Sequence, residues 1–91
     1  MKATEISVSI SHNLNVGAYE SVRPMLTVTA ELEKGDDPED TAKELHQMAS
    51  KMWAKQALVE LSWVAKRRTG DKKHEYNEVT AGTRAQLKSM L

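Results

Sequence analysis

Gly35-Asp36-Asp37-Pro38-Glu39-Asp40 is the stretch that decides the fold. Gly35 breaks whatever runs into it. Asp37 suits a helix N-cap, because its carboxylate can accept a bond from an unpaired first-turn N–H. Pro38 then falls at the first helical position, where its missing N–H costs little. Glu39 and Asp40 set negative charge against the positive end of the helix dipole. A helix begins here, and the residues before it follow a different period.

Downstream, no Gly or Pro occurs from residue 39 to residue 69. Leu45, Met48, Met52, Val59 and Trp63 fall close to a 3.6-residue period, and Ala49, Trp53, Ala57, Leu61 and Val64 form an adjacent stripe. Lys66, Arg67 and Arg68 suit the negative end of the dipole, and Gly70 can cap it. About 30 residues at 1.5 Å each give roughly 45 Å. Val59, Leu61 and Trp63 also alternate with Glu60 and Ser62, which would fit a short strand instead.

Upstream, Ile6, Val8 and Ile10 alternate with Ser7, Ser9 and Ser11. Val22, Leu26, Val28, Ala30 and Leu32 alternate with Arg23, Thr27, Thr29, Glu31 and Glu33. A period of two marks strands with one buried face. Pro24 cannot donate to a ladder and suits an edge or the entry of this strand. Residues 12–20 carry Gly17 and two Asn, and make a wide or bulged connection. The expected fold is α+β: an N-terminal antiparallel β-hairpin packed on one long amphipathic helix, within 1–70. A strand of some ten residues spans only about 33 Å, so the helix should overhang its hairpin or be interrupted. A polar tail at 71–91 follows, in which residues 83–91 could form a short helix.

The chain has 91 residues, 13 basic and 13 acidic, with no Cys and no Phe. That is room for one small domain. Zinc ribbons, disulfide scaffolds and thiol enzymes need a residue that is absent. No apolar run approaches the roughly 20 residues that span a bilayer. Met1-Lys2-Ala3-Thr4-Glu5 lacks the apolar core of a signal peptide, so a cytoplasmic protein with no membrane partner is expected.

The segment 57–65 is apolar almost all round, and a two-stranded hairpin is marginal cover for it. The economical completion is a homodimer through Leu58, Leu61, Trp63 and Val64. The rival completion is the tail folding back over the same surface. Met25, Met48 and Met52 read as core filling or as a soft docking groove.

Charge is polarised along the chain. The first 45 residues carry four basic and nine acidic side chains; the remaining 46 carry nine basic and four acidic. Lys66, Arg67, Arg68, Lys72 and Lys73 place five cations within eight positions. Such a cluster can hold phosphates by releasing counterions. Trp63, Tyr76 or Tyr19 could stack bases of a single strand. The plainer reading is a dipole-matched helix end running into a solvated linker. Glu31, Glu33, Asp36, Asp37, Glu39 and Asp40 lack the spacing of a calcium loop and read as capping charge. His12, His46 and His74 belong to no metal spacing, and no phosphate-cradling glycine loop is present. No metal, cofactor or catalytic residue is expected.

Ile6-Ser7-Val8-Ser9-Ile10, Asn13-Leu14, Tyr19-Glu20-Ser21-Val22-Arg23 and Gly35-Asp36-Asp37-Pro38-Glu39 together resemble a pattern of small phage and prophage proteins. The resemblance covers roughly the first half of the chain. It implies an accessory to phage nucleic acid metabolism, working in the cytoplasm of a bacterial host. Joined to the charge layout, this gives the expected function: a small non-enzymatic protein binding single-stranded nucleic acid or a nucleoprotein machine. The alternative is a protein–protein interaction module that inhibits or tethers a host, phage or defence protein.

Overall fold

In the computed structural model, which describes residues 5–91, the chain turns from strand to helix at the acidic stretch. Gly35 takes φ +96°, a conformation that costs glycine nothing. The Asp36 carboxylate accepts the Glu33 N–H at 2.7 Å, and the Asp36 N–H donates to the Glu33 carbonyl at 3.1 Å. Asp37 accepts the Glu39 N–H at 3.1 Å, and Pro38 opens helix α1, Pro38–Arg67. The helix is unbroken across residues 59–63, so the alternation there is not a strand.

Before it lie strands β1 (Glu5–Ser11), β2 (Leu14–Gly17), β3 (Glu20–Val22) and β4 (Met25–Glu31). β1 pairs antiparallel with β4, and β2 with β3. The two ladders form one ribbon. Ser11 faces Met25; three residues further along each strand, Leu14 faces Val22. The break between them falls at Pro24, which has no N–H to give. Its carbonyl instead accepts the Trp53 indole N–H at 2.8 Å, which ties the ribbon to the middle of α1. On the outer face Ser7–Thr29 and Ser9–Thr27 hydroxyl pairs at 2.8 and 2.9 Å hold the register.

The ribbon closes in a bulged turn. Register slips between Asn15 and Gly17, and Gly17, Ala18 and Tyr19 have φ +83°, +53° and +60°. Positive φ at both central residues is what a two-residue type I′ hairpin turn requires, and Asn-Gly is its preferred sequence. Ala18 and Tyr19 each carry a side chain in a conformation that costs about 1–2 kcal/mol. The Glu75 carboxylate helps to hold the turn by accepting the Ala18 N–H at 3.1 Å. Replacing Ala18→Asn together with Tyr19→Gly should add about 1 kcal/mol and raise the melting temperature by about 4–8 °C. A lower melting temperature in calorimetry would show that the turn is not strained.

Because the ribbon continues through Gly17, it spans about 43 Å and nearly matches the roughly 45 Å of α1. The expected overhang of the helix is therefore corrected. Ala30 lies beside Thr41 and Leu45 at one end of α1. Pro24 meets Trp53 midway. Glu20 accepts from the Arg68 guanidinium at 2.6 Å just past the other end.

The C-terminal segment is not a polar tail. Gly70–Ser89 forms helix α2, far longer than a short helix within 83–91. Gly70 does not end α1 either; it turns the chain with φ +59° at the first residue of α2. The end of α1 is satisfied by the Arg68 N–H and the Lys73 ammonium, which donate to the Ala65 carbonyl at 3.2 and 3.0 Å. α2 then doubles back. The Tyr76 hydroxyl donates to the Leu61 carbonyl at 2.8 Å, and Met90 reaches His46 and Ser50. Thr80, fully buried, donates to the Tyr76 carbonyl at 2.7 Å and accepts from Arg84 Nε at 3.0 Å. The core forms where the ribbon's turn end, α1 and α2 meet: Leu14, Val16, Trp53, Leu61, Tyr76 and Leu87, with Ala54 and Ala57 allowing close approach. The class is α+β, as the two periods in the sequence require. Among the described residues no helix is long and apolar enough to cross a membrane.

Candidate interaction surface

A helix with two neighbours has a third side. The ribbon is only two strands wide, and α2 covers one further flank of α1. The remaining side carries Met48, Met52, Val59 and Trp63, which are 49, 45, 46 and 56% exposed. On a straight helix these four positions fall within an arc of about 60° and run for about 22 Å. They form one apolar stripe at helical spacing, flanked at its midpoint by the exposed Lys55 and Gln56. Met48 and Met52 therefore do not fill the core; they belong to this band. Glu44 lies at one end of the band and Lys66 at the other, both exposed.

The residues expected to join two copies divide. Leu61 and Val64 are buried in the chain's own core at 1 and 5% exposure, and Leu58 is half-buried against that core. The tail, as helix α2, does this covering, so Leu61 and Val64 cannot be interface residues. Trp63 alone of the four stays open.

The basic cluster divides in the same way. Arg68 is committed to Glu20, and its side chain is 9% exposed. Lys73 caps Ala65 and rests over the Tyr76 ring at 5.8 Å. Tyr76 is 2% exposed with its hydroxyl engaged, so it offers no ring to a base. Lys66, Arg67 and Lys72 remain exposed. The Glu20–Arg68 pair brings the hairpin tip to this corner, where Arg67 and Lys72 share a groove with Ser21 and Val22. Tyr19, fully exposed at the tip, is the second open aromatic at this end. Glu20, Asp71 and Glu75 stand among these cations and offset part of their field.

The acidic stretch works as capping, since Asp36 and Asp37 both spend a carboxylate oxygen on backbone N–H groups. Between the ribbon, α1 and α2 lies a cleft of about 400 Å³ lined by His12, His46, Trp53, Thr83, Leu87 and Met90. His12 stands edge-on to the Trp53 ring with centroids 5.2 Å apart. Among the described residues no carboxylate lines this cleft. Among the described residues no three His, Asp or Glu side chains converge as a metal site would require.

Compared with protein-family models, curated proteins and solved structures, the chain has no match. Among the described residues the architecture is α+β, a two-stranded ribbon with two helices, and α1 carries an uncovered apolar stripe.

Proposed function

We propose that this chain is a small non-enzymatic interaction module, an accessory protein of the phage type that works by docking another protein chain on the open face of α1. One observation carries the reading: Met48, Met52, Val59 and Trp63 are about half exposed along the side of α1 that neither the ribbon nor α2 covers. Exposed apolar surface grouped in this way marks contact sites. Methionines adapt to an incoming surface, and tryptophan is enriched where interfaces hold most tightly.

A photo-crosslinking residue placed at Val59 should yield a discrete protein adduct in cells. The same residue at Thr29, on the outer face of the ribbon, should not. Absence of any discrete adduct at Val59, with the protein folded and expressed, would overturn the reading.

A second reading is favoured by a separate observation. Trp63 lies open one turn before Lys66 and Arg67, with Lys72 and Tyr19 at the same end. This corner would hold a short single strand by phosphate contacts and base stacking. It predicts affinity for oligonucleotides that falls steeply with salt. It also predicts loss of that affinity when Lys66, Arg67 and Lys72 are changed together to Ala. No anisotropy change at low salt would remove it and leave the docking face as the sole contact.

A further inference from the structure

The band on α1 has the same spacing counted from either end. Met48 lies as far from the midpoint between Lys55 and Gln56 as Trp63 does on the other side, and Met52 as far as Val59. We infer that the occupant of this face is a second copy of the chain, with the two α1 helices crossing antiparallel about a two-fold axis between Lys55 and Gln56. The inference rests on the reading of this face as a docking surface and names its partner. In a two-fold contact, residue i meets j and j meets i. The antiparallel arrangement seats Met48 on Trp63 of the other copy and Met52 on Val59, each twice. A thioether beside an aromatic ring is a favourable contact in its own right.

Charge selects the direction. Glu44 flanks the band before Met48, and Lys66 flanks it after Trp63 on the same side of the helix. Antiparallel packing brings Glu44 of each copy to Lys66 of the other. Parallel packing would set Glu44 against Glu44, and Lys66 and Arg67 against themselves. Lys55 lies at the axis, where its stem can extend along Met52 and carry the ammonium to water.

Area supports a partner of this size. The chain exposes 6672 Å² and has a radius of gyration of 16.9 Å, with extents of 57 × 21 × 16 Å. A compact monomer of this mass exposes about 5,300 Å², and a 91-residue domain has a radius near 12 Å. The excess of roughly 1,400 Å² reflects this elongated shape and leaves surface for the roughly 800 Å² per partner that a specific interface buries.

The test combines mass, charge and geometry. Light scattering at micromolar to millimolar concentration should give twice the 10.2 kDa of one chain. Val59→Asp places a carboxylate in both halves of the contact and should weaken the dimer at least about a hundredfold, with the circular dichroism spectrum unchanged. Lys66→Glu and Glu44→Lys should each weaken it about tenfold, and together restore it. The chain has no cysteine, so Met48→Cys and Trp63→Cys can be mixed and oxidised. The mixture should form the mixed disulfide, and neither variant alone should cross-link. A 10.2 kDa monomer at millimolar concentration overturns the inference. So does a dimer that ignores Val59→Asp, or one in which Met48→Cys cross-links to itself. If a different protein is captured at Val59 while the chain stays monomeric, the docking face stands and its assignment to a second copy falls.

Discussion

A chain ending at Thr69 is expected to lose the cooperative unfolding transition of the full protein. α2 contributes Tyr76 and Leu87 to the core at 2 and 3% exposure. Burying a side chain of that size is worth about 1.5–3 kcal/mol. Removing the helix also uncovers Leu61 and Val16, each now 1% exposed, and takes away the Tyr76 donor to the Leu61 carbonyl. β2 packs chiefly on α2, so the turn end of the ribbon loses its support. A domain of this length has about 5–14 kcal/mol of stability in all. The summed loss is of the same order. Thermal melting followed by circular dichroism should show a shallow, non-cooperative slope for the shortened chain. A sharp transition within a few degrees of the full-length protein would mean that α2 is a dispensable tail.

Trp53→Ala is the point substitution with the largest expected effect. Trp53 is 4% exposed, donates its indole N–H to the Pro24 carbonyl and packs edge-on against His12. Truncating a buried tryptophan costs about 3–5 kcal/mol. The Pro24 carbonyl, left without its donor, adds about 1–3 kcal/mol where water does not replace it. The melting temperature should fall by at least about 15 °C, since 1 kcal/mol shifts a domain of this size by about 4–8 °C. Trp53→Phe keeps most of the volume and loses only the donor, so it should fall much less. Equal losses for the two variants would show that the hydrogen bond, and not the packing, carries this site.

The sequence makes the strand-to-helix turn and α1 legible because their residues act locally. Gly35, Asp37 and Pro38 each satisfy a backbone requirement within four positions. The ribbon is legible for a similar reason, since a period of two survives on both sides of Pro24. Its full length is less so. Pro24 looks like the beginning of a strand until the register of Leu14 with Val22 shows the ladder resuming beyond it.

α2 is harder to read because its inner face carries few apolar residues, with only Tyr76 and Leu87 buried in the core. Tyr76, Thr80, Thr83 and Leu87 repeat at helical spacing, yet two of the four are threonines. Thr80 is buried only because its hydroxyl is satisfied within the helix. Once α2 is missed, the apolar circumference of residues 57–65 has no cover, and Leu61 and Val64 point to a second chain. The open face differs for the opposite reason. Met48, Met52, Val59 and Trp63 share a clear period, but periodicity does not say which of two adjacent stripes meets the ribbon. The smaller residues Ala49, Ala54 and Ala57 take the inner side because two neighbours must approach there.

The partition of α1 into a covered and an uncovered side is tested most directly by its two tryptophans. Fluorotryptophan labelling gives one fluorine resonance for Trp53 and one for Trp63, assigned with Trp63→Phe. On raising the protein concentration, the Trp63 resonance should shift and broaden as its face becomes occupied, while Trp53 stays fixed in the core. A Trp63 resonance that does not change from micromolar to millimolar protein would remove the second copy as the occupant, and one that moves together with Trp53 would contradict the partition itself.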